Sequence, residues 1–168
     1  RQRQLSPTSS PSRSLPGNLS RVFKELDNVC RVGRERRWRA VRPFARATGI
    51  AANVEQVQAY VQVAQSISMP KNRSRRLLVC EVGFNCGHST ATFLESNPAI
   101  DVLSFDLPKD LYGAKARRYF AARYGQRFRI VDGNSRDTVP AHLASNPGSR
   151  CDLIVVDGAH NYAGPVLD

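Results

Sequence analysis

Leu77-Leu-Val-Cys-Glu-Val-Gly-Phe-Asn-Cys-Gly-His-Ser89 is the stretch that decides the fold. Leu77 to Val82 is an apolar run broken only by Glu81, which predicts a strand covered on both faces. Gly83 and Gly87 then let the chain turn tightly and come close to a ligand without a Cβ in the way. Asn85 lies between them, and Asn tolerates a left-handed backbone better than other side-chain-bearing residues. His88 to Glu95 is predicted helical, with its free N–H groups facing a bound anion.

The alternation continues on both sides of this stretch. Leu19, Val22, Phe23, Leu26, Val29 and Cys30 follow helical spacing, with Asn18 or Ser20 as the cap. Ala51 to Ile67 is a second predicted helix, striped by Val54, Val57, Val61 and Ala64 and ended by Pro70. Beyond the glycine turn come a strand over Val102 to Phe105, a helix over Leu111 to Tyr124 and a strand over Phe128 to Val131. A short helix over Thr138 to Ala144, with Pro140 in its first turn, leads to a strand over Asp152 to Val156. Strands alternating with helices imply a parallel α/β sheet with helices on both faces.

Glu81-x-Gly83-x-Asn85-x-Gly87 does not match the dinucleotide fingerprint, whose acid comes about 20 residues after its glycines. It resembles the first motif of class I S-adenosylmethionine (SAM) dependent methyltransferases, usually written E/D-x-G-x-G-x-G, with Asn85 in place of the middle glycine. A glycine turn after any α/β strand is the plainer alternative for this stretch alone. Three further strand ends extend the resemblance. Asp106, 25 positions after Glu81, stands where the family's second motif holds the ribose, and a turn aspartate is its alternative. Gly133-Asn-Ser resembles the region that meets the adenine, with Asp132 a competitor for the role and Ser135 equally suited to cap a helix. Val155-Val-Asp-Gly-Ala-His160 and Tyr162 resemble the D-G-x-H-x-Y form found in a subset of small-molecule O-methyltransferases.

The resemblance covers residues 52 to 168 and implies a Rossmann-like fold. It implies Glu81, Gly83, Phe84, Asn85, Gly87, His88, Ser89, Asp106, Leu107, Asn134, Ser135 and Asp157 as cofactor-binding residues. Asp157 and His160 are the catalytic candidates, His160 as a general base whose ordinary pKa lies near neutrality or else as a structural loop residue. The catechol type of the family adds Mg²⁺ at the position of Asp157, although one carboxylate does not make a magnesium site. The cofactor expected is SAM, with Mg²⁺ as a second candidate, and the partner is a small-molecule acceptor. The family has seven strands and this chain shows four. A truncated or excised chain is therefore expected, in keeping with a start at Arg1 and not Met.

Charge separates the chain into parts. Residues 1–50 carry 12 Lys and Arg against 3 Asp and Glu, a net of +9, and residues 51–168 carry 13 against 11, a net of +2. Residues 1–17, rich in Ser, Pro and Arg, bury too little apolar surface to offset their ordering entropy and are expected to be disordered. Residues 18–50 are expected to form a basic helical segment, and the resemblance implies that residues 51–168 are the N-terminal part of a SAM-binding methyltransferase domain. Arg31-Val-Gly-Arg-Glu-Arg-Arg-Trp-Arg39 suggests either a polyanion or nucleic-acid contact or a solvated linker whose Trp38 packs on the domain. The second function class is therefore a nucleic-acid-binding protein with the Rossmann-like part as scaffold or RNA methyltransferase, which the near-neutral domain disfavours. No run of 18 apolar residues predicts a membrane span, and no secretory signal pattern opens the sequence. The four cysteines lack a C-x-x-C pair, which argues against a zinc ribbon. Cys80 and Cys151 are expected as free core thiols, which fits a reducing, cytoplasmic compartment.

Overall fold

In a computed structural model, residues 15–37, 54–68, 75–107 and 111–158 are described. The apolar run Leu77–Val82 forms β1, and Ile100–Asp106 (β2), Phe128–Asp132 (β3) and Leu153–Val156 (β4) pair beside it. All three pairings are parallel, and the strand order is β3-β2-β1-β4. The chain steps outward from β1 through β2 to β3, then returns to the far side of β1. That reversal puts a crevice beyond the carboxyl ends of β1 and β4, where open α/β sheets take their ligands. β2 starts two residues before its predicted onset because Leu77 pairs with Ile100.

Alternation along the strands assigns two faces. Leu77, Val79, Ile100 and Val102 point to one face, in a core shared with Leu19, Val22, Phe23, Leu26, Val57, Phe93 and Phe120. Those partners come from α1 (Gly17–Arg37), α2 (Val54–Ser66), α3 (His88–Ser96) and α4 (Leu111–Tyr124). Cys80, Leu103 and Phe105 point to the other face, against Val139 of α5 (Ser135–Ser145). The expected apolar spacing of α1 is thus matched by burial of Leu19, Val22, Phe23, Leu26 and Cys30. Neither Asn18 nor Ser20 caps this helix, which already starts at Gly17; the Asn18 amide donates to Glu95 across the fold.

Two local expectations need correction. α5 starts at Ser135, three residues before the predicted onset, because the Asn134 side chain accepts from the Arg136 amide and caps it. Pro140 therefore lies inside the helix and not in its first turn. The free-thiol expectation also fails: Cys80 pairs with Cys151 and Cys30 with Cys86, leaving no free cysteine. This removes the basis on which a reducing compartment was expected. Among the described residues, no helix is long and apolar enough to cross a membrane. The side chains of the basic cluster from Arg31, together with Trp38, lie outside the described residues.

Candidate functional site

The register brings four loops to one level. Val82 pairs with Phe105 and Val156, and Asp106 pairs with Asp132. Gly83, Asp106, Asp132 and Asp157 therefore form a row along the carboxyl edge. The backbone bonds Gly83 N to Phe105 O (2.8 Å) and Asp157 N to Val82 O (2.8 Å) carry the ladder one residue past the strands.

Gly83 has φ +98°, and a Cβ there would lie 2.4 Å from the Asp157 carbonyl oxygen and 2.7 Å from the Gly158 Cα. The β1 and β4 loops touch through that missing side chain. Gly87 has φ +80°, and its Cβ would meet the rings of Phe120 and Phe84 at 2.5 and 2.6 Å. Between them Asn85 adopts φ +50°, the left-handed conformation its residue type allowed. The turn closes through Gly87 N to Phe84 O at 2.7 Å. It is tied to β2 by the Asn85 amide, which donates to the Asp106 carboxylate at 3.1 Å.

Glu81 lies behind this turn and is fully buried. Its carboxylate accepts from the hydroxyls of Ser89, Thr90 and Ser104, the last at 2.7 Å. One side chain thus joins β1, β2 and the first turn of α3. Burial pushes the Glu81 carboxyl above its usual range, opposed by the three hydroxyl bonds, and the nearby Asp106 charge adds to the rise.

The expected ligands separate into those facing the crevice and those turned inward. Phe84 is buried against Phe120 and Phe128, with ring centroids 5.1 and 5.2 Å away. Ser89 points to Glu81. His88 points to α1, with Nε2 3.1 Å from Asp27 Oδ1 and its ring edge-on to Phe23. For these three residues the backbone is what borders the turn, at a helix start where Gly87 supplies no side-chain cap. Asp106, exposed Leu107, Asn134, Ser135 and Asp157 stand at the strand ends. His160 and Tyr162 lie outside the described residues.

Arg117 of α4 is a site residue that sequence reasoning missed. Its guanidinium pairs with Asp132 and donates to the Leu107 carbonyl at 3.1 Å, bridging the β2 and β3 loops. Asp132, the competitor of Asn134 for the adenine, is thereby occupied by a cation. No sequence signal marked Arg117, which lies on the surface pattern of a basic helix. Among the described residues, no group of three or more His, Cys, Asp or Glu could hold a metal ion. The expected magnesium gains no further ligand there beside Asp157.

A parallel sheet with a reversal beside β1, a left-handed turn into a helix start and an acidic row at the strand ends together define a Rossmann-like nucleotide-cofactor domain. A family model described as a methyltransferase domain matches residues 80–168, more than half of the chain, and the chain belongs to that family. Transfer of the methyl group of SAM is the chemistry of the class I family that the motifs resemble.

Solved structures share the fold at low identity. One is a Staphylococcus aureus protein provisionally named a caffeoyl-CoA O-methyltransferase: TM-score 0.52, 14% identity, 89% of this chain and 58% of that one covered. Another is cofactor-bound Rv0187 from MTB: TM-score 0.51, 19% identity, 86% of this chain and 54% of that one covered. The chain therefore spans little more than half the length of these structures. No curated protein matches it.

Proposed function

We propose that this chain is the cofactor-binding part of a SAM-dependent methyltransferase that methylates a hydroxyl group of a small molecule. The observation that carries the reading is the Asn85 to Asp106 bond, which locks the glycine turn onto the end of the adjacent strand. The residues present fit the cofactor chemically. A helix start after Gly87 suits a carboxylate, and Asp106 suits a ribose diol. The cap residue Asn134 and its neighbour Ser135 border the place for an adenine. Gly83, Phe84, Asn85, His88 and Ser89 contribute through the backbone of the turn, and Glu81 holds that turn in place from behind.

SAM, when bound, supplies an electrophilic methyl group. The chain's part is to hold the acceptor in line with it and to take the hydroxyl proton. Asp157 borders both groups at the end of β4, and His160, three residues on, is the proposed base. The family name and the O-methyltransferase assignment of a structural neighbour support this reading. The small-molecule acceptor follows from the D-G-x-H-x-Y resemblance.

Two measurements test the assignment. Asp106→Ala is expected to weaken SAM binding, measured by calorimetry, by about 1.5–3 kcal/mol, the range for hydrogen bonds to a charged group. Unchanged affinity would mean that the cofactor does not lie across the end of β2. His160→Ala is expected to leave SAM affinity unchanged and slow single-turnover methylation on the order of 10²-fold. A wild-type rate would return His160 to a structural role. A folded chain that binds no SAM at all would remove the proposed function altogether.

A further inference from the structure

The pairing of Cys30 with Cys86 puts a covalent bond on the glycine turn itself. Cys86 stands between the two left-handed residues Asn85 (φ +50°) and Gly87 (φ +80°). Its partner lies 56 residues earlier, on α1. The residue just after the turn, His88, is held by the same helix through Asp27 at 3.1 Å and the Phe23 ring at 5.0 Å. α1 therefore grips the turn twice, once through a disulfide and once through non-covalent contacts.

We propose that the Cys30–Cys86 disulfide is a redox latch. Oxidised, it holds α1 on the turn and keeps the turn in its ligand-ready shape; reduced, it frees the turn and weakens cofactor binding. The inference rests on the assignment of this turn to SAM. A left-handed residue that carries a side chain, as Asn85 does, and a left-handed glycine packed as closely as Gly87 are costly to maintain, so the surroundings must over-determine them. With the bridge open, the turn is held to α1 by the Phe23–His88 ring contact and by Asp27, whose side chain is 62% exposed and whose pairing is therefore weak.

The chemistry is thiol–disulfide exchange with a dithiol. The Cys30–Cys86 S–S bond breaks, two electrons and two protons pass from the dithiol to give two thiols, and the dithiol closes to its own disulfide. Both cysteines are buried, so exchange requires α1 to lift locally from the turn. The second bridge, Cys80–Cys151, is an internal control. It joins β1 to the segment just before β4 on the opposite face of the sheet, away from the turn.

The test uses the full chain carrying Cys80→Ala and Cys151→Ala, so that only the latch remains. Dithiothreitol is applied until alkylation shows both remaining thiols free. Amide hydrogen exchange over residues 84–90 and calorimetric SAM affinity are then compared with the oxidised form. Reduction is expected to speed exchange of the turn amides and to weaken SAM binding, each about 10-fold, with recovery on reoxidation. Cys30→Ala added to the same Cys80→Ala, Cys151→Ala chain is expected to show the loosened turn from the start and no response to dithiothreitol.

Unchanged exchange after full reduction, or an equal response in Cys30→Ala, would overturn the latch. So would a loosened turn that binds SAM equally well in both forms. If the turn loosens on reduction while neither form binds SAM, the cofactor assignment fails and the latch on the turn stands.

Discussion

Gly83→Ala is expected to destabilise the chain by more than about 4 kcal/mol and to abolish cofactor binding. Two costs add. A side chain at φ +98° is strained by about 1–3 kcal/mol wherever it stands. The new methyl would also sit 2.4 Å from the Asp157 carbonyl oxygen. That neighbour is backbone and cannot swing aside. Relief requires the β4 loop to move away, which breaks the Asp157 N to Val82 O bond and shifts Asp157 out of the strand-end row. Gly125→Ala is the matched control. Gly125 also has a positive φ, +54°, but a Cβ there meets nothing within 4 Å, so only strain of about 1–2 kcal/mol applies. Urea denaturation of both variants checks this. Equal losses of stability would mean that the β1 and β4 loops do not touch at Gly83.

Glu81→Ala is expected to cost about 3–5 kcal/mol, because it leaves the hydroxyls of Ser89, Thr90 and Ser104 without their acceptor inside the fold and opens a cavity. Glu81→Gln keeps one acceptor oxygen, and the hydroxyls can rotate to accept from its amide, so its cost is about 1 kcal/mol. The pair also tests protonation. The folded-state pKa of Glu81 lies above the ordinary value of 4.5, so the native state retains a proton that the unfolded chain has released. The stabilisation from that group is fully present below pH 4.5 and is lost as pH rises through the folded pKa. Wild type should therefore lose stability relative to Glu81→Gln as pH is raised from about 4.5, in denaturation curves taken across the range. A difference that stays flat would mean that folding leaves the carboxyl's pKa unshifted, and one that moves in favour of wild type would mean that folding lowers it.

Much of this architecture is local and therefore legible in the sequence. The apolar run Leu77–Val82, bounded by turn residues, suits a buried strand and forms one, and the helix over Leu111–Tyr124 ends where Gly125 stops it. Gly83, Asn85 and Gly87 announce a left-handed turn by residue type alone, because few other residues accept positive φ. The acids at the ends of β2 and β4 were visible because Asp106 closes its apolar run and Asp157 directly follows its own.

What the tertiary structure decided depends on chain segments that are distant in sequence. The two disulfides join cysteines 56 and 71 residues apart, and spacing says nothing about which side chains meet across a core. Glu81 looks like a ligand in the motif, yet three hydroxyls from β2 and α3 enclose it, and that follows only from the register that sets Ser104 beside it. His88 turns to α1 because the helix that reaches it begins some 70 residues earlier. Arg117 meets Asp132 only because α4 lies across the end of β3. Local rules fix backbone conformation through sterics and propensity; which polar groups find one another is settled by packing, since a buried donor or acceptor must be satisfied by whatever the fold brings to it.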